Sequence, residues 1–541
     1  MGRRVAPVSV VLLLTALALW PAGLEAQAPP PSVPPPGPLQ IQTLPPAPQP
    51  TTPVEPPAPE PLTPSILAEP PTEGVPPVPV IPSAAPSVEG APPPPTISSA
   101  PLRLLPTIAT APGAVRPLFK FQPSISVSEE YTDNFNLTKN NKDSNFRTAI
   151  APTLLFSLDQ AFAKGVVGYT FTANHDTFQD DNFFFHTVLG QFSFQATPRL
   201  RFTLADVFVH NDQPSEADSL GLRRQRGTFT SNELSVSSDY IIDRVETREY
   251  FRWNTFSDSG GGDKTTTYLA GVTAAIPLYV ANVLTLGYEY VNSRTKSSGD
   301  QTGVASNDIG DQDVSGHQLS VSLGRKINLE TTAGISGSYA FRDVSGGDAS
   351  GASNFQIWTA TVFGTYGIRP FTITGRIGLN GLTADSGESR GPSLSLSTTA
   401  TYAWTRALVS LALEHGFSQT FETGENFGVV ETTGANAAFS YSFTPRTSAT
   451  VSGYYRKTET TGIGGGQNIA GGPNINGTRN DVSEGVGASA ALTVGLLRWL
   501  TLNLTYTYAN HFDSGASGTV TDNTNGAYVE NRAKISFDMT F

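Results

Sequence analysis

The sequence predicts an all-β fold: a transmembrane antiparallel up-and-down β-barrel of about 20 strands, preceded by a disordered Pro-rich segment. Three observations predict it. Apolar and polar residues alternate over most of the chain after Leu118. The connections between alternating stretches are short and long in turn. An export signal stands in front of them.

Composition sets the limits. The chain has 541 residues, no cysteine and a net charge of −12. Without cysteine there is no disulfide and no thiolate metal site. The acidic balance argues against a nucleic-acid partner. Hydrophobic residues make up only 38% of the chain. After residue 30 no apolar run reaches the ~20 residues that a membrane helix needs. A barrel strand needs no such run, because only alternate residues face lipid.

Residues 1–26 read as a secretory signal peptide: Arg3 and Arg4, an apolar stretch from Val8 to Trp20, and Ala26 as the small residue at the cleavage point. No cysteine stands there, which excludes a lipoprotein anchor. Residues 27–117 are Pro-rich, with runs at Pro34-Pro35-Pro36 and Pro92-Pro93-Pro94-Pro95 and few charges or aromatics. Such a segment cannot bury a core and favours extended polyproline II. We read it as a disordered periplasmic tether or spacer, with a periplasmic or peptidoglycan partner as the alternative. It is not the folded plug of a TonB-dependent transporter, which needs a globular sequence.

Residues 118–541 form the barrel. Leu500, Leu502, Leu504, Tyr506 and Tyr508 interleave with Thr501, Asn503, Thr505 and Thr507. Leu284, Leu286, Tyr288 and Tyr290 alternate with Thr285, Gly287 and Glu289. A period of two marks a strand with two different faces. One set of connections is very short, as at Ile242-Asp243, Thr197-Pro198-Arg199, Arg369-Pro370, Thr405-Arg406 and Thr444-Pro445-Arg446. The other is long and rich in Gly, Asp, Asn and Ser, at 212–226, 293–312, 343–353, 457–477 and 511–525. Strict alternation of the two sets is the pattern of periplasmic turns and outer loops. Counting gives twenty strands, with eighteen to twenty-two compatible. An even count puts both chain ends on the periplasmic side. Tyr240, Tyr279, Trp404, Phe443 and Trp499 lie beside short turns, and Tyr290, Phe417, Tyr455 and Tyr508 near long loops. Rings at both strand ends match interfacial girdles.

The last strand places Val529, Asn531, Ala533, Ile535, Phe537, Met539 and Phe541 on one face. Phe537, Met539 and the final Phe541 resemble the assembly signal of outer-membrane proteins. That resemblance implies the barrel-assembly machinery as a partner, outer-membrane lipid as the environment and a Gram-negative cell envelope as the location. Phe121 to Phe135, reading FQPSISVSEEYTDNF, and the later Ile150-Ala151-Pro152 resemble the opening of a family of outer-membrane β-barrel porins often associated with exopolysaccharide systems. The resemblance covers about 40 residues; the rest agrees only in strand rhythm. It implies an outer-membrane barrel with a transport role. Read on their own, Glu130, Thr132 and Asn134 share a face assigned to the lumen, and Asp133-Asn134 suits a strand end.

No catalytic set is recognisable. The six histidines form no HExxH-type pair. Gly387-Glu388-Ser389-Arg390-Gly391 matches Gly-x-Ser-x-Gly, but in a loop between strands rather than a strand–turn–helix elbow. Asp308-Ile309-Gly310-Asp311-Gln312-Asp313 lacks the spacing of a calcium loop. Gly462 to Gly466 lacks the Lys-Ser/Thr of a phosphate loop. No cofactor or metal is expected, and an outer-membrane hydrolase is disfavoured.

Parity instead places charges inward as pore-lining candidates: Arg147, Arg199, Arg201, Arg244, Glu246, Arg248, Arg252, Glu289, Glu414, Glu530, Arg532 and Lys534, with Asp538. Charges on membrane strands belong in water or in pairs. The arginines near the fifth and seventh strand starts suggest an anion-leaning periplasmic mouth. The expected function is passage of hydrophilic solutes, with a link to extracellular polysaccharide export. The alternative is a structural or assembly barrel that tethers a periplasmic partner without transport.

Overall fold

The computed structural model describes residues 119–541, apart from positions 141, 179, 213–226, 259–263, 280, 297–310, 347–353, 386, 388, 424–427, 462–481 and 515–526. The expected signal peptide and Pro-rich segment lie outside the described residues.

Twenty strands follow in order. They are β1 (Phe119–Thr132), β2 (Asn145–Asp159), β3 (Ala163–Asp176), β4 (Asp181–Thr197), β5 (Leu200–Asn211), β6 (Phe229–Ile242) and β7 (Val245–Asp258). Next come β8 (Lys264–Tyr279), β9 (Asn282–Lys296), β10 (Gln312–Lys326), β11 (Thr331–Gly346), β12 (Phe355–Ile368), β13 (Phe371–Ala384) and β14 (Ser389–Ala403). The chain ends with β15 (Ala407–Gln419), β16 (Val429–Thr444), β17 (Thr447–Thr460), β18 (Val482–Gly495), β19 (Leu500–Ser514) and β20 (Tyr528–Thr540). Each strand pairs antiparallel with its sequence neighbours. β20 returns to β1, from Ser124 opposite Thr540 to Thr132 opposite Arg532, and closes the ring. Phe541 adds its own N–H to the Pro123 carbonyl, 3.0 Å away. Closure leaves no edge strand to template aggregation.

The strands lean. Directly paired residues run Phe121–Phe156–Val167–Gly190–Asp206–Leu234–Trp253–Tyr268–Asn292–Ser315–Asp343. This line leaves the start of β1 and arrives near the far end of β11. A closed barrel requires this stagger.

Prolines sit where the ladder has no use for their missing N–H. β2 and β3 pair at Ile150–Ala173 and again at Thr153–Thr170, and Pro152 lies in the gap. Pro277 borders the register shift between β8 and β9. Asp133 and Asn134 clasp the seam. The Asp133 carboxylate accepts from the Asn531 amide groups at 2.6 and 2.7 Å, and the buried Asn134 side chain donates to the Val529 carbonyl at 2.9 Å.

The outward face is apolar through the middle of the wall, with exposed Ile150, Leu154 and Phe156 on β2, Leu319, Val321 and Leu323 on β10, Ile377 and Leu379 on β13, and Ile535 and Phe537 on β20. Tyr240, Tyr279, Trp404, Phe443 and Trp499 are exposed at the turn end, as expected. Glu129, Asp206 and Glu249 also face outward by register. The first accepts from Thr148 at 2.6 Å and the last from Ser238.

Three expectations change. Strands run further into the loop end than the apolar rhythm does: β9 reaches Lys296, β17 Thr460 and β19 Ser514, where loops were expected from 293, 457 and 511. Pairing continues there on Thr, Ser and charged residues, which carry no apolar rhythm. The short–long alternation is not strict, because 177–180, 259–263 and 385–388 at the loop end are short. Phe417, expected at the loop-side girdle, packs against the interior apolar cluster instead.

Candidate functional site

The barrel interior divides into a packed loop-end half and an open turn-end half. The packing begins with a departure from the wall. β14 pairs with β15 only from Leu396 to Ala403, so Ser389–Ser395 of β14 and Gly416–Gln419 of β15 are not laddered to each other. Pro392 falls in that freed stretch. β15 then feeds a 3-10 turn, Thr420–Thr423, into the lumen. The Phe421 carbonyl accepts from Thr267 Oγ1 of β8 at 2.7 Å. β8 lies seven strands from β15, so the segment spans the interior. Gly428, at φ 76°, starts the return to β16.

Phe421 is fully buried among Val291, Val314, Phe355, Leu382 and Val429, all in one cluster. Arg342 of β11 is also 0% exposed. Its guanidinium carbon lies 5.9 Å from the Phe421 ring centroid. Arg342 Nε donates to Gln419 Oε1 at 2.8 Å and Nη2 to Gln318 Oε1 at 3.4 Å. The side chain crosses Gly316, where a Cβ would lie 2.8 Å from its Cδ. Below it, Tyr250 donates to Glu289 Oε2 at 2.8 Å across Gly271. Hydroxyl rungs, Thr265–Thr295 at 3.1 Å and Thr267–Ser293 at 2.8 Å, line the adjoining wall.

A second inward cluster stands at β2. Arg147 Nε and Nη2 donate to Asp176 at 2.6 and 2.8 Å, and Nη1 and Nη2 to Asp212 at 3.1 and 2.7 Å. Asp212 follows β5, so the bridge crosses two strands and pins the start of the β5–β6 connection. The rings of Phe135 and Phe185 lie 5.7 and 6.0 Å from the guanidinium. The arginine is thus desolvated and doubly paired, with four hydrogen bonds to two carboxylates, as a buried cation requires.

At the turn end the interior opens into a cavity of about 640 Å³. Its charged lining is Arg199, Arg201, Arg248 and Arg376 against Asp239 and Glu246. Hydroxyls of Thr273, Thr285 and Ser322 add to it. Arg201 Nη2 donates to Asp239 at 2.7 Å, and Arg248 Nε to the other carboxylate oxygen at 2.6 Å. One carboxylate holds two guanidinium groups.

Arg252 faces Glu233 at 3.5 Å, and Arg456 holds Glu414 at 3.1 Å. Arg532 lies 4.0 Å from Glu130 and 3.9 Å from Glu530. Lys534 shares the inward register of β20, opposite Glu130, and Asp538 accepts from Asn503 at 2.5 Å. Arg199 and Arg244 stand in turns, not on a strand face. Arg199 still reaches the cavity; Arg244 is not among its lining residues. Parity does not govern a side chain beyond the last pleat. Phe537 and Phe541 are exposed on the outward face with Met539 in the same register. Ser389 opens β14 and no helix follows it, so no nucleophile elbow forms. Asp313 pairs with Arg294 at 2.8 Å. Residues 308–310 and 462–466 lie outside the described residues, as do the 297–310 and 462–481 stretches of the loops expected to be long.

Three residues of the interior carry no local mark in the amino-acid sequence. Phe421 was a lone aromatic in a polar connection, Arg342 ended an expected strand, and Arg376 was the lone charge in an otherwise uncharged strand. Only the last was a usable signal.

No family model matches the sequence, and comparison with curated proteins gives no match. Solved structures similar to this chain include the FrpB iron transporter of Neisseria meningitidis, at 9% identity and TM-score 0.45, covering 78% of this chain and 82% of that one. The ferric enterobactin receptor PfeA of Pseudomonas aeruginosa, in complex with BCV-L6, is 10% identical at TM-score 0.45, covering 78% and 81%. The siderophore receptor PirA of Acinetobacter baumannii is 11% identical at TM-score 0.41, covering 77% and 80%. At these values the likenesses carry no argument about cargo.

Proposed function

We propose that this chain is an outer-membrane, porin-like barrel that passes hydrophilic solutes. One observation carries the reading: the outward face is largely apolar through mid-wall, while the interior carries ionic and hydroxyl groups at both the loop end and the turn end. Hydrocarbon outside and water inside is the environment in which that division is stable. Barrels beyond about sixteen strands exceed what side chains fill and leave an aqueous channel. Here an inward segment narrows the loop-end half. In this reading the turn end faces the periplasm, and Phe537, Met539 and Phe541 serve assembly. The link to extracellular polysaccharide export rests on the resemblance of Phe121 to Phe135.

Planar-bilayer recording of the purified chain tests it. A stable conductance that rises when residues 420–428 are replaced by a short Gly-Ser turn supports passage. Absence of conductance from both forms overturns it.

A further inference from the structure

We propose that the turn-end cavity is a binding site for multiply charged oxyanions, built by Arg376 on one wall and a carboxylate-held arginine pair on the other. The inference deepens the proposed passage of solutes by naming the class that the vestibule retains.

Four guanidinium groups face two carboxylates there, Arg199, Arg201, Arg248 and Arg376 against Asp239 and Glu246, so the lining carries two net positive charges. The charges are placed as well as numerous. Asp239 takes Arg201 on one oxygen and Arg248 on the other, which fixes both forks without neutralising both. The Arg201 side chain keeps 49% of its surface exposed and Arg248 keeps 30%. Their remaining N–H groups therefore face the cavity water. Arg376 comes from β13, six strands beyond β7. Guanidinium groups thus line the cavity from both walls. The planar fork matches carboxylate and phosphate oxygens in pairs, which an ammonium cannot do. Low-dielectric walls around an open cavity concentrate the field. The loop-end half above is narrowed by Phe421 and Arg342, so the cavity is approached more freely from the turn end.

Isothermal titration calorimetry on the detergent-solubilised full chain, with inorganic tripolyphosphate and separately with citrate, tests the site. Wild type is expected to bind both, since the chemistry is shared, and R376Q and R201Q each to weaken binding about tenfold, the loss of one charge-assisted contact. R376K, which keeps charge but loses the fork, is expected between R376Q and wild type. D239N is expected to weaken binding although it adds a positive charge, because both held guanidinium groups come loose. Heat-modifiable gel mobility shows that each variant has folded. No binding by the folded wild type overturns the site, and so does tighter binding by D239N with R376Q unchanged, which would mean a diffuse field. Binding without bilayer conductance leaves the site standing and overturns passage; conductance without binding does the reverse.

Discussion

Single side chains decide how the interior is held. Arg147 is the sharpest case, since two carboxylates depend on it. Arg147→Met leaves Asp176 and Asp212 without their cation, and breaking a buried pair this way costs about 3–5 kcal/mol. The expected result is a lower urea midpoint for the barrel refolded in lipid vesicles. Replacing the buried Phe421 with Ala removes a ring with no solvent exposure, a change that costs about 3–5 kcal/mol in a packed core. Here the loss falls on the inward segment rather than on the wall, so the expected readout is a larger single-channel conductance with little change in the urea midpoint. Gly271→Val places a Cβ 2.3 Å from the Tyr250 ring; the tyrosine must leave Glu289, visible as a shift in its ultraviolet absorption. Parity alone assigned Arg147, Arg201, Arg248, Arg252 and the other strand-borne pore candidates to the inward register. It could not say which charges meet, because that depends on strand tilt and strand number: Arg147 reaches Asp212 over two intervening strands.

At the scale of elements, the strand rhythm was legible through the middle of the wall and lost at its loop end. In mid-wall a strand divides hydrocarbon from the interior, and the division writes a period of two into the sequence. Beyond it both faces are polar, so β9, β17 and β19 ran on unmarked. The inward 3-10 turn was illegible for another reason. Its apolar partners Val291, Val314, Phe355 and Leu382 come from four strands distant in sequence, and no local pattern records such a contact. The mid-wall itself is testable. Ile377 stands outward on β13 with 56% of its surface exposed. Ile377→Arg is expected to lower vesicle refolding stability by about 2–4 kcal/mol, the cost of a cation at the bilayer midplane. Thr374→Arg, facing the interior three residues nearer the turn end, is expected to cost far less.

For the whole molecule, the ring closes within residues 119–541, because β20 meets β1 directly. Deleting residues 30–115 is therefore expected to leave heat-modifiable mobility and conductance unchanged. If a periplasmic partner co-purifies with the full chain and is lost on deletion, the tether role is supported. Conductance lost on deletion would instead make the segment part of the pathway.

The stretch where β14 and β15 part company has a consequence in time. Through mid-wall each strand is laddered to two neighbours, and each amide is held by the neighbour to which it donates. Along Ser389–Ser395 and Gly416–Gln419 each strand has one ladder fewer. Local opening is easiest where the fewest bonds must break. In hydrogen-exchange mass spectrometry these two segments should take up deuterium before the doubly laddered mid-wall, making this joint a place where the ring yields before it breaks.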